Sequence, residues 1–308
     1  MNILITGVLG HIGSGLLNNI LKNKKIKKIY LVDNARSNNI NVLFNLKKNT
    51  KRIQFILGDL ADKKILKKLY NIDTIIHLAS ITNAEESLKI KKEIYKNNLL
   101  IFRNIVDFAT INNCKFLHIS STSVYGPQVG LIKEDCKDLK PESPYAKIKL
   151  LEEKMLFKKR KKLDYITLRF GTIVGASFGM RFHTAANKFC FHTILKKSLP
   201  VWITAYNQYK PYLSIKDAIK SINFIIKKDF FNNEIYNVLT NNYTVRDILN
   251  FIKASGFRYK IKKTYSKIMN DSSYNVSKSK FENLGIKLQS NISKDINDVL
   301  MLFTNINK

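Results

Sequence analysis

Thr6-Gly7-Val8-Leu9-Gly10-His11-Ile12-Gly13 follows directly on a short apolar run, Asn2–Thr6, and leads into a stretch with helical apolar spacing, Ile12–Lys22. The order is strand, glycine turn, helix. In such a turn one glycine makes the bend, a second lets backbone N–H groups approach a diphosphate, and a third lets helix pack on strand. The helix N-terminus adds roughly half a positive charge at the same point. The spacing is G-x-x-G-x-x-G, so Gly7, Gly10, His11, Ile12 and Gly13 are candidates to hold a dinucleotide.

The neighbouring segments extend this reading. A second strand candidate, Lys28–Val32, ends at Asp33-Asn34, twenty residues past Gly13, where a carboxylate can hold the hydroxyls of an adenosine ribose. Asp33 would repel a 2′-phosphate, which favours NAD over NADP; Arg36 nearby keeps NADP open. Gly58-Asp59-Leu60 follows a third strand, Gln54–Leu57, and would place Asp59 near the adenine amine, or else at a helix N-cap. His77-Leu78-Ala79-Ser80 ends a fourth, Thr74–Leu78, where Leu78, Ala79 and Ser80 would line the cofactor and His77 would pack in the strand. Helical patterns over Lys63–Leu69, Asn98–Ile111 and Tyr145–Lys159 alternate with these strands and with Lys115–Ser120 and Tyr165–Phe170. That alternation predicts a doubly wound parallel α/β sheet covered on both faces.

Chemistry gathers at the end of the fifth strand, where open α/β sheets bind ligands. The run there is Ser120-Ser121-Thr122-Ser123-Val124-Tyr125-Gly126, and Pro144-Tyr145-Ala146-Lys147-Ile148-Lys149 opens a helix downstream. Tyr145 and Lys149 are four apart and share a helical face. A phenol near pKa ~10 is a poor base at neutral pH, but an adjacent ammonium and a cationic nicotinamide both favour its phenolate. Ser121 can hydrogen-bond at the reacting oxygen, and Lys149 can also hold the nicotinamide ribose.

Composition bounds the function from outside. The 308 residues carry 53 Lys+Arg against 23 Asp+Glu, a net charge of +30, with 45% apolar residues. This is enough apolar surface for a core and excludes a disordered chain. The basic excess is nearly all lysine, with only eight arginines, and Lys, Asn and Ile are inflated along the whole chain. Base readout favours arginine, so nucleic acid is an unfavoured partner. The three scattered cysteines, Cys114, Cys136 and Cys190, show no metal-ligand spacing and fit a reducing cytoplasm; no metal site is expected. No apolar run reaches the ~20 residues of a membrane span, and the N-terminus does not read as a signal peptide.

Taken together, TGVLGHIG, Asp33, GDL, HLAS, Asn98 with Asn104, SSTSVYG and PYAKIK resemble the extended short-chain dehydrogenase/reductase family, the NAD-dependent nucleotide-sugar epimerases and dehydratases. The resemblance implies a Rossmann domain over residues 1–170 and a smaller substrate-binding domain over 171–308, with the chain crossing back between them. It further implies a Ser121–Tyr145–Lys149 triad, Asn98 on the cofactor side, and a homodimer through helices 98–111 and 145–159. Dehydrating members carry Asp-Glu after the triad serine, because loss of water needs an acid and a base. Here those positions are Thr122 and Ser123, and a cysteine used by 3,5-epimerising reductases is absent as well.

Hydride transfer alone then remains, and its simplest form is 4-epimerisation of a nucleotide diphosphate sugar with NAD regenerated. The substrate half departs from common epimerases. Thr172 stands where many have asparagine, and Lys210 in Lys210-Pro-Tyr-Leu-Ser-Ile-Lys-Asp217 replaces an arginine. Thr122, Ser123, Thr172, Arg181, Asn187 and Lys210 are the substrate candidates. GMRF at 179–182 and KPYL look more like epimerase-like enzymes of surface-polysaccharide pathways. The alternatives are a sugar dehydrogenase or reductase using the same triad, and a non-catalytic NAD(P)-sensing regulator, which retention of Tyr145 and Lys149 disfavours. Past Gly171 the reading is coarser: helices near Ile215–Ile226, Val245–Ala254 and Ser293–Phe303, and a strand near Glu234–Leu239.

Overall fold

The computed structural model describes residues 1–45, 51–82, 91–264 and 273–304. In chain order the first half runs β1 (Asn2–Thr6), α1 (His11–Ile20), β2 (Lys28–Asp33), β3 (Ile53–Leu57), α2 (Lys63–Leu66), β4 (Thr74–His77), α3 (Lys91–Ile111), β5 (Lys115–Ser121), β6 (Leu131–Ile132), α4 (Pro144–Lys159) and β7 (Tyr165–Phe170). The second half runs β8 (Thr172–Val174), α5 (Ala185–Ile194), β9 (Leu199–Trp202), β10 (Tyr209–Ser214), α6 (Ile215–Lys228), β11 (Ile235–Val238), β12 (Asn241–Thr244), α7 (Val245–Ala254), β13 (Ile261–Thr264), β14 (Asn275–Val276), α8 (Ser279–Glu282) and α9 (Ile292–Phe303).

Seven strands form one parallel sheet in the order β11-β7-β5-β4-β1-β2-β3. Alternation along β1 shows why it needs cover on both sides. Ile3 and Ile5 join a core with Leu16, Leu17 and Ile222 of α1 and α6, whereas Leu4 joins Phe102, Ile105 and Leu156 of α3 and α4. This is a Rossmann-type α/β fold. The strand order reverses between β1 and β4, and at their C-terminal ends, where open α/β sheets bind ligands, the glycine turn and the Leu78–Ser80 segment lie side by side.

After Phe170 the chain leaves the sheet and builds a second core. Val174, Phe189 of α5, Ile248 of α7 and Ile296 of α9 pack together there, while β10 pairs with β8 and β12. The chain returns through α6, packed on α1, and through β11, which joins the large sheet beside β7. Residues 215–238 therefore belong to the sheet although they follow the break at 170. None of the described helices is long and apolar enough to cross a membrane.

Candidate active site

The glycine turn is shaped by close backbone approach. Gly7 has φ +69°, and a Cβ there would lie 2.6 Å from the Ala79 nitrogen; a Cβ on Gly13 would lie 2.6 Å from the Gly7 carbonyl oxygen. Side chains at either position would push loop and strand end apart. Gly10 is the N-cap of α1 and offers no side chain to the first turn, so the N–H groups of His11, Ile12 and Gly13 are presented by a helix start with no side-chain cap. Asp33 sits at the end of β2, its Oδ2 accepting from Leu9 N–H at 2.9 Å and its Oδ1 from Ala35 N–H at 2.9 Å. A cradle that only glycine fits, an uncapped helix start and a carboxylate at the strand end suit the pyrophosphate and ribose of NAD. Arg36, the residue that kept NADP open, is ion-paired with Glu93 at 2.8 Å.

Two asparagines on α3 fix the loops around this cradle. Asn98 accepts from Ile81 N–H at 3.0 Å and donates to Ser80 Oγ at 3.1 Å and the Ile81 carbonyl at 3.0 Å. Asn104 donates to the carbonyls of Leu60 at 2.9 Å and Ala61 at 3.1 Å. Their separation of six residues thus spans the ends of β4 and β3. Asp59 turns its own loop, accepting from Ala61 N–H at 2.8 Å, and meets Asn34 Nδ2 at 3.1 Å. The N-cap of α2 is Asp62 rather than Asp59. Leu78 and Ala79 donate their N–H groups to Thr6 Oγ1 at 3.1 and 3.2 Å, which holds this strand end over Gly7. His77 is packed in the sheet, with Nδ1 2.9 Å from Thr6 Oγ1 and its ring against Phe102 and Phe116.

Ser121, Tyr145 and Lys149 come together from two elements. Ser121 ends β5 and caps a single 3₁₀ turn, accepting from Ser123 N–H at 3.2 Å and Ser123 Oγ at 2.9 Å. Tyr145 lies in the first turn of α4, which starts where the sequence signals it: Ser143 caps Ala146 N–H at 3.1 Å and Pro144 supplies a preset φ. The Ser121 hydroxyl lies on the Tyr145 side and favours ionisation of its phenol. Lys149 Nζ lies 5.9 Å from the centre of the Tyr145 ring. Burial raises the Tyr145 pKa above its ordinary value, outweighing the pull of Lys149, Arg181 and the Ser121 hydroxyl. Burial would lower that of Lys149, but Glu152, Tyr145 and Glu153 together more than reverse this, and the group is held above its ordinary value. The resting pair is a phenol beside an ammonium.

Several candidates occupy other places than expected. Thr122 is buried, its hydroxyl donating to the Phe170 carbonyl at 3.3 Å, so it faces the sheet and not a substrate. Strand alternation breaks at Ser121, where the 3₁₀ turn begins, and this rotates Thr122 inward. Asn187 is fully buried and braces the backbone of residues 175–181, accepting from Gly175 N–H at 3.3 Å and donating to the Arg181 carbonyl at 3.2 Å. The side chain of His11 also serves this segment, its Nε2 2.8 Å from the Gly175 carbonyl; burial lowers its pKa to about 4, so the ring is neutral. It therefore has only its backbone N–H for a cofactor.

Arg181 reaches the dinucleotide cradle itself. A Cβ on Gly10 would lie 3.2 Å from its Nη2, its Nη1 bonds Thr82 Oγ1, and Asp33 and Tyr145 both act on its charge. Lys210 stands 4.8 Å over the ring of Tyr274, and burial lowers the pKa of the lysine to about 8. Thr172 is partly exposed in β8, opposite Tyr212. Sequence reasoning passed over Tyr274, Arg169, His118, Glu152 and Glu153. The last two follow Lys149 at helical spacing, a signal that was available, but their partners on β5 and β7 were not.

Comparison with known proteins gives the family. Residues 3–238 match the family described as NAD dependent epimerase/dehydratase. An uncharacterised UDP-glucose epimerase of Bacillus subtilis (strain 168) is 28% identical over 249 residues, 77% of this chain and 76% of that one. A UDP-glucose 4-epimerase of Haemophilus influenzae is 32% identical over 187 residues, 57% of this chain and 54% of that one. The chain thus aligns with about half the length of the latter. Among solved structures, UDP-glucuronic acid 4-epimerase from Bacillus cereus, in complex with UDP-glucuronic acid and NAD, superposes with a TM-score of 0.85 at 24% identity, covering 99% of this chain and 100% of that one. A dTDP-glucose 4,6-dehydratase from Streptomyces venezuelae gives 0.88 at 20% identity, covering 100% and 98%. At these identities the two structures speak for the fold.

Proposed function

The chain belongs to the NAD dependent epimerase/dehydratase family, and from that premise we propose that it is a nucleotide-sugar 4-epimerase. The observation that carries this reading is the pairing of an assembled Ser121–Tyr145–Lys149 group with the absence of an acid–base pair after Ser121. Thr122 is turned to the Phe170 carbonyl, and Ser123 Oγ is given to Ser121. Neither position offers the carboxyl groups that elimination of water requires. Bound NAD supplies the hydride acceptor and donor.

The residues of the chain do the rest. Tyr145 takes the proton of the sugar hydroxyl and returns it after the keto-sugar has turned over, Ser121 orients that hydroxyl, and Lys149 favours the phenolate. Arg181 and Lys210 are the cations we assign to a nucleoside diphosphate. The names of the Bacillus subtilis and Haemophilus influenzae relatives make UDP-sugars the first to try.

The test begins with the protein as purified. Nucleotide released on denaturation should be NAD by mass spectrometry, and NMR should then show a UDP- or GDP-sugar converted to its C4 epimer without added cofactor. Net formation of NADH would instead make it a dehydrogenase, and a 4-keto-6-deoxy product a dehydratase. We place the enzyme in the cytoplasm, as a homodimer joined through α3 and α4. These helices pack together and leave Ile111, Leu151 and Phe157 exposed by 79%, 38% and 58%. Sedimentation should give a dimer for the wild type and a monomer for Leu151→Glu/Phe157→Glu; a monomeric wild type would remove this interface.

A further inference from the structure

Behind Lys149 the site continues into the protein along a line that belongs to no motif. Glu152 Oε2 accepts from Lys149 Nζ at 2.7 Å and lies 2.9 Å from His118 Nε2. The three side chains are 5%, 1% and 0% exposed for Lys149, Glu152 and His118. An ionised carboxylate only accepts, so Nε2 of His118 carries the proton and donates. Nδ1 is then the acceptor, and it faces Thr167 Oγ1 at 3.3 Å. The direction of the chain is thereby fixed: Thr167 to His118, His118 to Glu152, and Lys149 to Glu152 from the other side. Anchoring of α4 does not call for Glu152, because the adjacent Glu153 already binds Arg169 of β7 through two bonds, at 3.0 and 2.7 Å.

We propose that Glu152, aimed by His118, is a positioning residue that draws the Lys149 ammonium back from Tyr145 and damps its pull on the phenolic proton. This rests on the epimerase reading in one respect. An epimerase asks Tyr145 to take a proton and give it back within one turnover, and a phenol made too acidic by its lysine leaves a phenolate too weak a base to take that proton. The charges around the group are consistent. Tyr145 is faced by Lys149 and Glu152 from α4, by Arg181 from the segment before α5, and by the Ser121 hydroxyl from β5. Glu152 is faced by Lys149 and by His118; His77 on β4 feels all three. Burial opposes its charge, but Lys149 and His118 prevail and hold its pKa at about 2.

The test uses the full chain labelled with [ζ-¹³C]tyrosine and followed by NMR between pH 7 and 11, with Tyr145→Phe to assign the resonance. Glu152→Gln keeps the shape and removes the charge. The ionisation midpoint of Tyr145 should fall by at least about one pH unit, a tenfold change in its acid constant. A midpoint equal to or above that of the wild type overturns the proposal. Should Glu152→Gln not fold, Glu152→Asp replaces it. Its shorter carboxylate cannot reach both partners, so the midpoint should fall in the same direction by less, and an unchanged midpoint is again fatal. The titration needs no substrate: a chain that epimerises no sugar tells against the proposed function and leaves this measurement standing.

Discussion

Tyr145→Phe should lower epimerase turnover by about 10³-fold, within the range for loss of a positioned acid–base group and equivalent to about 4 kcal/mol of transition-state stabilisation. The substitution deletes one oxygen. The backbone of the first turn of α4 is fixed by Ser143 and Pro144, and the glycine cradle is built on other elements, so the folded protein and its bound NAD should both survive. Among the described residues of the site, no second base is placed to take over. Ser121 and Ser123 are occupied with each other, and His11 is neutral and turned to the Gly175 carbonyl. The measurement is turnover by NMR with the content of bound NAD in parallel. Activity within tenfold of the wild type would show that the proton leaves through another group.

The sequence shows β1, the glycine turn and α1 so clearly because all three are local: a five-residue apolar strand, a turn that only glycine can make, and a helix that must cover the sheet. β7 and α7 were likewise readable to the residue. Elements past Gly171 were harder. The strands β8, β9, β10 and β12 are three to six residues long, and α5 lies inside a basic, aromatic stretch whose apolar residues serve a core assembled from distant segments. The beginning of α3 was missed by seven residues, since Lys91–Asn97 has few apolar positions to set a period.

The site divides the same way. Residues whose work is done by their own backbone or helical spacing were legible: Gly7, Gly13, Tyr145 and Lys149. Residues whose partners come from elsewhere were not. Asn98 and Asn104 came only from the family resemblance, and the carbonyl groups they bind could not be named. Arg181 is a guanidinium 171 positions from Gly10 in sequence, and only the fold brings it over the cradle.

Glu153→Gln should destabilise the protein by about 3–5 kcal/mol, the usual cost of leaving one partner of a buried ion pair alone. Arg169 and Glu153 are only 3% and 4% exposed. Arg169 donates to Glu153 through Nε and Nη2, Ser120 Oγ adds a bond to the same carboxylate at 2.5 Å, and the guanidinium lies over the Tyr125 ring at 4.7 Å. Burial alone would lower the Arg169 pKa and the bonds to Glu153 raise it; a guanidinium is too basic to lose its proton in a protein, so removing the carboxylate leaves Arg169 a buried, unpaired charge. Its Nη1 is already without a hydrogen-bond partner among the described residues, which leaves no spare bond to recruit. The loss should appear as a lower denaturant midpoint of the full chain. Glu153→Leu/Arg169→Met, which removes both charges and keeps apolar volume, should recover most of it. A loss below about 1 kcal/mol for Glu153→Gln would mean that the pair is solvated or dispensable. The contrast with Glu152 is then direct. The two neighbours are both buried carboxylates on α4, but one holds the helix that carries Tyr145 to the sheet, and the other acts on the acidity of the tyrosine through Lys149. Glu153→Gln below its unfolding transition should leave the Tyr145 titration where it is, and Glu152→Gln should move it.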